Sequence, residues 1–485
     1  MDIVQVFQRA VARHSNRAFL FDRQTTITYA QAEARTNAIA AELLERGLSD
    51  GDTLGLAASD RVSLWLAIIG AWKANALPSL IDARTPADQL PYFLDDIGAK
   101  VIVAAPEIHD RLQAAGADVV IDIENLGAAQ PTTAVNHHGP ASPLYLSYTS
   151  GTTGLPKGAV LLSEPVTLGT SCIADRLQLT RRDILLATTP ISSSFQLVAA
   201  LMPALHVGAS VGLVAGLPIE AIWQTALNHQ ATILVAYPLT LADIVNAPQA
   251  VEGKSPFRVA LSGGSSLAPR LKRDYQQRLG IALLESYGQS ELGGFMVMGA
   301  PHDDAQTLAA GFAGRPLPDR PAYIGDADCH ELPAGQIGEV LVTHGFFDTY
   351  RNKPEQTAAG QRGGVLHTGD LGIAQEDGYI KVMGRVSEAE IAHQRGGFLR
   401  DLEDTYYEHE AVQHAVAVAG ANGLVGGFVE LKAGQTTSAE ALQHFVADRV
   451  PSGLLPQKTI ILDKMPRTFS GKADRLTLSQ QVGER

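Results

Sequence analysis

The residues best suited to chemistry lie in one stretch, 148–158, which reads Tyr-Thr-Ser-Gly-Thr-Thr-Gly-Leu-Pro-Lys-Gly. Glycines let the backbone come close to a ligand, and hydroxyls with a lysine suit phosphate oxygens. Strand-like apolar runs flank the stretch, so we expect a loop between two strands. It is not a Walker A loop, because no Gly-Lys-Ser/Thr opens a helix here, and the alternative is a flexible surface loop. The candidate phosphate ligands are Thr149, Ser150, Gly151, Thr152, Thr153 and Lys157.

Two glycine-containing turns follow predicted strands further along the chain. Gly263 and Gly264 come after the apolar run 259–261, and Tyr287 and Gly288 come shortly after the apolar pair 283–284. Ligand sites in open α/β sheets form where loops leave the carboxyl ends of strands. Glycines permit close backbone approach there, and Tyr287 offers a flat ring for a base. Taken alone, each turn favours a simple strand-ending role.

Three charged residues stand in short motifs nearer the C-terminus. Asp370 closes the string His-Thr-Gly-Asp, Arg385 follows a glycine, and Lys472 ends the string Pro-Arg-Thr-Phe-Ser-Gly-Lys. A carboxylate accepts hydrogen bonds, and a guanidinium is a fixed fork of donors. The alternatives are a β-turn with Asp at a preferred position and a solvated lysine in a tail.

In this order, the strings resemble the motifs of the adenylate-forming superfamily, which includes acyl- and aryl-CoA ligases, nonribosomal peptide adenylation domains and luciferases. The resemblance covers nearly the whole chain. It implies a phosphate loop at 148–158 and a carboxylate that binds Mg²⁺. Mg²⁺ is a hard cation, and one carboxylate together with phosphates and waters can complete its coordination. The roles it implies are an adenine slot at Gly263, Gly264 and Tyr287, an α-phosphate contact at Ser290, Mg²⁺ at Glu291, the ribose at Asp370 and Arg385, and catalysis by Lys472 with Glu291.

The mechanism implied by the resemblance has two steps. A carboxylate attacks the α-phosphate of ATP, releases pyrophosphate and leaves an acyl-adenylate, while Lys472 stabilises the transition-state charge. The C-terminal domain then rotates, and a thiol of coenzyme A or of a carrier protein's phosphopantetheine attacks the mixed anhydride. The alternatives are transfer to a non-thiol acceptor, or a non-catalytic nucleotide- or acyl-binding protein. The presence of Lys472 and Glu291 disfavours the non-catalytic alternative.

The segment 189–195, Thr-Pro-Ile-Ser-Ser-Ser-Phe, departs from the family pattern in the place that holds the acid. Amino-acid adenylation domains commonly carry an Asp here, and CoA ligases often carry a His, but this segment has neither. An α-amino acid substrate is therefore disfavoured, and the choice between an aryl and an aliphatic acid stays open. The substrate candidates are Ser192, Ser193, Ser194 and Gly288.

The hinge region also departs from the family pattern. Ser387 stands two residues after the arginine, where the family has Asp or Lys. An equal-length alignment places His393 and Gln394 at the family's glycine-rich loop, with Gly396 and Gly397 displaced towards the C-terminus. The adenylation half of the site is therefore better supported than the thiol half.

Composition narrows the class of protein. The chain has 485 residues, is 45% hydrophobic and carries a net charge of −13, which disfavours nucleic acid as a partner. The N-terminal residues 1–14 lack the apolar centre of a signal peptide, and the two cysteines form no disulfide framework, so we expect a cytoplasmic protein. The apolar stretch 195–217 favours a buried helix and strand over a membrane span.

Alternating strands and helices predict an α/β fold in which helices cover mostly parallel sheets. From about residue 311 the pattern changes to short strands with glycine and proline turns, typical of a small β-rich subdomain. Beyond residue 384 a small, mobile α+β domain is expected. The predicted domains are 1–384, which binds AMP, and 385–485, which carries the catalytic lysine.

Overall fold

A computed structural model describes residues 2–128, 139, 141–148, 156–192, 194–250, 255–420, 423–468 and 471–482. Some candidate site residues lie outside these ranges. They are Thr149, Ser150, Gly151, Thr152 and Thr153 of the phosphate loop, and Ser193 of the acid segment.

The described chain alternates strands and helices through most of its length. The strands are β1 (Ala18–Phe21), β2 (Thr26–Thr28), β3 (Thr53–Ala58), β4 (Leu77–Asp82), β5 (Val101–Ala104), β6 (Val120–Asp122), β7 (Pro143–Tyr148), β8 (Gly158–Leu162), β9 (Ile184–Ala187), β10 (Ser210–Leu213), β11 (Ile233–Ala236), β12 (Val259–Ser262), β13 (Ala282–Gln289), β14 (Gly294–Met298), β15 (Arg315–Pro316), β16 (Ala322–Gly325), β17 (Ile337–Val342), β18 (Thr349–Tyr350), β19 (Leu366–Ala374), β20 (Ile380–Arg385), β21 (Val412–Ala419), β22 (Val425–Leu431) and β23 (Lys458–Leu462).

Helices connect and cover these strands. They are α1 (Ile3–His14), α2 (Tyr29–Glu45), α3 (Val62–Lys73), α4 (Leu90–Ile97), α5 (His109–Ala114), α6 (Ser163–Arg176), α7 (Ser194–Gln196), α8 (Met202–Val207), α9 (Ile219–His229), α10 (Pro238–Asn246), α11 (Pro269–Leu279), α12 (Ala305–Ala309), α13 (Pro354–Gly360), α14 (Ala389–Arg395), α15 (Leu399–Tyr407), α16 (Ala439–Ala447) and α17 (Arg475–Gln481).

Two large sheets form the N-terminal part of the molecule. One has the order β15-β14-β13-β12-β11-β9-β10-β1-β2, and the other has the order β18-β8-β7-β4-β3-β5-β6. Their central strands pair in parallel. The edges pair antiparallel, except for β6, which pairs in parallel with β5. Strands β3 and β12 are buried along their whole length, as expected of parallel strands with helices on both faces.

Two smaller sheets complete the fold. An antiparallel sheet β16-β17-β19-β20 forms the β-rich part and ends at Arg385, and the sheet β21-β22-β23 packs with α15, α16 and α17. The predicted fold class, a large α/β part with a β-rich subdomain and a small α+β part, is therefore confirmed.

The apolar stretch 195–217 folds as a buried helix and strand. Short α7 continues through a π-helical segment, Leu197–Leu201, into α8, which ends at Gly208 with φ +74°, and β10 follows. None of the helices in the described part of the chain has the length and apolarity needed to cross a membrane.

Helix α3 is buried on nearly all sides. All but one of its residues are buried, including Lys73, whose Nζ donates to Glu33 Oε2 at 2.7 Å. A helix that is apolar on all sides packs between layers of a large core, because no face of it gains from contact with water.

Candidate active site

Two glycines directly after β12 form the centre of the candidate site. A Cβ atom added at Gly263 would lie 2.5 Å from Phe195 Cε2, and one at Gly264 would lie 2.6 Å from Tyr237 Cε1 and 3.1 Å from Lys472 Cε. Gly264 also has φ +76°, a conformation that L side chains rarely adopt. The missing side chains therefore make room for two aromatic rings and a lysine.

Lys472 reaches this point from the C-terminal part of the chain. It lies in a tight turn closed by bonds from the Thr468 amide to the Lys472 carbonyl, 2.8 Å, and from the Gly471 amide to the Thr468 carbonyl, 2.9 Å. Its Nζ lies 5.4 Å from the centroid of the Tyr237 ring. Burial, and then the positive charge of Arg385, lower the pKa of Lys472 to about 8. Lys472 is thus docked in the structure and is not a solvated tail residue.

A hydrogen-bonded cluster around Asp370 joins the middle of β19 to the C-terminal ends of β13 and β20. Tyr287 Oη donates to Asp370 Oδ2 at 2.6 Å, Gln289 Nε2 donates to the same oxygen at 2.9 Å, and Arg385 Nε lies 3.1 Å from Oδ1. Asp370 and Arg385 are direct neighbours across β19 and β20. The structure therefore brings together three of the five residues expected at the adenine and the ribose, Tyr287, Asp370 and Arg385, and adds Gln289.

The ionisation of this cluster follows from its burial. Burial raises the pKa of Asp370, although Arg385 and the hydrogen bonds from Tyr287 and Gln289 oppose the shift. Burial and the adjacent carboxylate raise the pKa of Tyr287 well above its ordinary value, so its hydroxyl keeps the proton and acts as a donor. A carboxylate has four lone-pair sites, so Asp370 Oδ1 can accept further hydrogen bonds, such as those from sugar hydroxyls.

Glu291 lies in a short 3₁₀ turn after β13, close to both ends of the phosphate stretch. Its Oε1 accepts a hydrogen bond from Tyr350 Oη at 2.5 Å, and Lys157 Nζ lies 4.3 Å from the centroid of the Tyr350 ring. Ser290 Oγ donates to the Tyr148 carbonyl at 3.3 Å. Sequence reasoning missed Tyr350, because its partner lies 59 positions away and no local spacing signals the contact.

The donor set around Glu291 fits Mg²⁺ bound together with phosphates. Among the described residues, no group of three or more His, Cys, Asp or Glu side chains could hold a metal by itself. Mg²⁺ needs no such group where substrate phosphates and waters fill its coordination sphere. Within the same part of the chain, Glu291 Oε2 has no hydrogen-bond partner and is available as the single protein ligand.

The acid segment lies against two carboxylates from distant parts of the chain, Asp60 shortly after β3 and Asp82 at the end of β4. Ser192 Oγ donates to Asp82 Oδ2 at 2.6 Å, and Asp60 accepts from the Ile191 amide at 3.1 Å and from Gln196 Nε2 at 2.9 Å. The segment itself contains no carboxylate, as predicted, but the fold supplies two from the ends of β3 and β4. Ser192 is thus already hydrogen-bonded to Asp82.

Neither carboxylate is a ready partner for a substrate ammonium. Arg84 forms two bonds to Asp82, 2.9 and 2.8 Å; burial alone would raise the pKa of Asp82, but the bonds from Arg84 and Ser192 lower it. Burial raises the pKa of Asp60 to about 7, so near neutral pH it is only partly ionised.

Aromatic rings form the wall next to Gly263. Phe195 stacks on Tyr237 with ring centroids 5.3 Å apart, and Phe295 lies 5.7 Å from Phe195 on another side. All three side chains are buried. Ser194, a further substrate candidate, is half-buried beside this wall, and Gly288 has backbone of β14 within 2.9 Å of an added Cβ.

Two family models match most of the chain. The family model described as AMP-binding enzyme matches residues 7–346, and the model described as AMP-binding enzyme C-terminal domain matches residues 401–472. Tyrocidine synthase 1 of Brevibacillus parabrevis is 25% identical over 99% of this chain, which spans only 45% of that synthase.

Two further proteins match over nearly their whole length. Fatty acid–[acyl-carrier-protein] ligase ScoC of Streptomyces coeruleorubidus is 26% identical, with 93% of this chain and 91% of the ligase aligned. The crystal structure of ATP-bound MatB from Rhodopseudomonas palustris has a TM-score of 0.88 at 24% identity, covering 100% of this chain and 99% of that one. At this identity the structural match shows the shared fold alone.

The close packing at Gly264 leads to a stability prediction. Gly264→Ala adds the cost of a positive φ, about 1–2 kcal/mol, and an overpacking cost of about 1–3 kcal/mol against Tyr237 and Lys472. Gly216→Ala is the matched control, because Gly216 has φ +73° and no atom within 4 Å of an added Cβ. Urea unfolding followed by tryptophan fluorescence should show the larger loss for Gly264→Ala. Equal losses in the two variants would contradict the packing described here.

Proposed function

The chain belongs to the family of AMP-binding enzymes, and from that premise we propose that it activates a carboxylic acid with ATP and passes the acyl group to a thiol. In the first step a carboxylate oxygen bonds to the α-phosphorus, the bond to the β-phosphate oxygen breaks, and pyrophosphate leaves. In the second step the thiol loses its proton to solvent, its sulfur bonds to the acyl carbon, the bond from that carbon to the phosphate oxygen breaks, and AMP leaves. The observation that carries this proposal is the position of Lys472, over Gly264 and beside the Asp370 cluster.

Lys472 has the properties that the first step requires. Two anions, a carboxylate and the α-phosphate, must come within bonding distance of each other, and a cation between them offsets their repulsion. A lysine held in a low-dielectric setting before the reaction stabilises the developing charge at no further cost of reorganisation. Anionic ligands next to the ammonium group would also raise its pKa above the value of about 8 in the structure, so Lys472 would be charged in the complex.

The Asp370 cluster is proposed to hold the nucleoside. Asp370 would accept bonds from the ribose hydroxyls and Arg385 would donate to them, while Tyr287 fixes the carboxylate and presents its ring to the base. Gly263 and Gly264 would form the opposite wall of the base slot. Ser290, and the phosphate-loop residues outside the described ranges, are proposed to contact the phosphates.

Mg²⁺ is proposed to bind at Glu291, with phosphate oxygens and waters as its other ligands. When bound, it would neutralise charge on the phosphates. The contribution of the protein is to fix the carboxylate: Tyr350 donates to Oε1, and Oε2 would be the oxygen that binds the metal. Lys157, over the face of Tyr350, would add a second positive charge on the same side.

The substrate acid is proposed to lie between the Phe195 wall and Lys472, and to lack an α-ammonium group. A buried ammonium needs a charged partner, because an unpaired one bears a desolvation cost of several kcal/mol. Asp82 already pairs with Arg84, and Asp60 accepts two bonds from protein donors. The rings suit an aryl acid by stacking and an aliphatic acid by apolar contact, so both belong in a substrate screen.

For the second step we propose a rotation of residues 385–485 about the segment after β20. Ser387 lies there in an exposed 3₁₀ turn, which packing does not fix. Gly396 ends helix α14 with φ +75°, and an added Cβ at Gly397 would lie 2.7 Å from Leu454. These glycines thus already serve helix termination and packing. Because these glycines are displaced from the common pattern, we propose two possible acceptors for the thiol step. One is coenzyme A, and the other is a carrier protein, the acceptor named for ScoC.

The remaining assignments are also proposals. We place the boundary between the two domains at residues 384 and 385, where the antiparallel sheet ends. Cys172 and Cys329 are free thiols, which suits a reducing compartment such as the cytoplasm.

The proposed function predicts acid-dependent exchange of pyrophosphate into ATP without any thiol. A panel of aryl, aliphatic and amino acids should contain at least one non-amino acid that supports exchange. Lys472→Ala should reduce the exchange rate by about 10²–10³-fold, the usual effect of removing one transition-state donor. Exposed Lys464, on the same part of the chain, provides the control variant Lys464→Ala. An unchanged rate in Lys472→Ala, or an amino acid as the best substrate, would contradict these assignments.

The contact between Tyr350 and Glu291 predicts a specific loss of Mg²⁺ affinity. Tyr350→Phe removes the hydroxyl that fixes the carboxylate and keeps the ring under Lys157. Removing such an outer partner typically lowers metal affinity about 10–100-fold. The Mg²⁺ concentration for half-maximal exchange should rise by that factor, with most of the rate restored at saturating Mg²⁺. A loss of rate that Mg²⁺ does not restore would place Tyr350 in another role.

A further inference from the structure

One carboxylate of the large α/β part, Asp243 on α10, receives three hydrogen bonds from the C-terminal part of the chain. Gln413 Nε2 and His414 Nε2 donate to Oδ1 at 2.6 and 2.8 Å, and Arg467 Nη2 donates to Oδ2 at 2.7 Å. The Asp243 side chain is 18% exposed and the His414 side chain is fully buried. Because an ionised carboxylate can only accept, Asp243 fixes a proton of His414 on Nε2.

Arg467 stands at the base of the turn that carries Lys472. A β-bridge pairs Arg467 with Ala473, and the Asp474 amide donates to the Pro466 carbonyl at 2.9 Å. These two contacts join the ends of the Lys472 turn, and Asp243 bonds to the turn at Arg467, where it begins.

The residues that contact Lys472 and Arg467, Tyr237 and Asp243, both belong to helix α10 and its N-terminal cap. Tyr237, whose ring lies under Lys472, immediately precedes α10, and Asp243 lies in the same helix six residues later. A helix keeps a fixed distance between such positions. The ring and the carboxylate thus determine together where Lys472 lies above Gly264.

The charges at this contact favour the docked arrangement. Burial alone would raise the pKa of Asp243, but the hydrogen bond and charge of His414, and the charge of Arg467, lower it. The carboxylate is therefore ionised and paired while Lys472 is in the site. If the C-terminal part rotates away for the second step, Asp243 loses all three of these partners at once.

We propose that Asp243 is a positioning residue for the adenylation step: through Arg467, His414 and Gln413 it locks the C-terminal part with Lys472 in the site, and it takes no part in transfer to the thiol. The proposal rests on the proposed function, since it assumes that Lys472 acts in the first step alone. It makes the first half-reaction depend on a residue that touches neither ATP nor the acid.

The test measures the two half-reactions separately in full-length Asp243→Asn. Adenylation is followed by pyrophosphate exchange with the best acid of the screen. Transfer is followed from the synthetic acyl-AMP of that acid, with coenzyme A and pantetheine as thiols. A hydrogen bond to a charged group contributes about tenfold to a hundredfold to an equilibrium, so kcat for exchange should fall by that factor, with KM for ATP nearly unchanged. Transfer should stay within about twofold of the unmodified protein, because neither Asp243 nor its partners act in that step.

The matched control is Glu408→Gln, the same change of carboxylate to amide at another contact between the two parts. Glu408 pairs with Arg273 at 2.5 Å, at a half-exposed position away from the Lys472 turn. Both half-reactions should be unchanged in this variant, since exposed ion pairs contribute little. Arg467→Gln should reproduce the Asp243→Asn defect, and the double variant should be no worse than either single one, because both act as one unit.

The outcomes separate the two proposals. Exchange within about twofold of normal in Asp243→Asn, with exchange lost in Lys472→Ala, would overturn the role of Asp243 and leave the function standing. Equal loss of both half-reactions in Asp243→Asn would indicate general destabilisation and would also overturn it. Exchange by the unmodified protein with no acid would overturn the proposed function, and this inference with it.

Discussion

The site depends on the absence of side chains at Gly263 and Gly264. Directly after a fully buried strand, these two residues accept the Phe195 and Tyr237 rings at distances that a Cβ would block, and the Lys472 side chain at a distance that a Cβ would make tight. The backbone at these two glycines is therefore in contact with the aromatic rings of Phe195 and Tyr237 and with Lys472, which comes from a distant part of the chain. A methyl group added at either glycine would displace one of the two rings.

Charge is divided between the two parts of the molecule in a way that follows from this geometry. The large part supplies carboxylates, among them Asp243 and Glu291, and the C-terminal part supplies Arg467 and Lys472. Asp243 forms an ion pair with Arg467. The Lys472 ammonium lies over the Tyr237 ring, and its burial and the charge of Arg385 lower its pKa. In the proposed function an anionic ligand would pair with the Lys472 ammonium, and the ion pair between Asp243 and Arg467 would hold the lysine in place.

Element types could be predicted from the sequence where local signals agree. Buried runs such as β12 and glycine-ended helices such as α11, where Gly280 has φ +70°, follow from apolar patterning and helix capping. The motifs also indicated which residues to expect around Asp370, and the structure brings Tyr287 and Arg385 to it.

The contacts that join distant parts of the chain could not be predicted in this way. Asp243 and Arg467 are 224 positions apart, and neither lies in a periodic pattern that points to the other. The carboxylates beside the acid segment come from the ends of β3 and β4, so the sequence of the segment alone does not reveal them. Sheet order, rather than spacing along the chain, decides these neighbours.

The most direct measurement of the central claim, that Lys472 is docked in a nucleotide site, is its amine reactivity. Acylation of Lys472 by a small activated ester, followed by mass spectrometry across pH, reports the deprotonated fraction, with exposed Lys464 as the internal reference. The account predicts a midpoint near pH 8 without ligand, and strong protection by ATP with Mg²⁺. A midpoint at about pH 10.4, the value for a solvated lysine, with no protection by ATP, would contradict a docked Lys472.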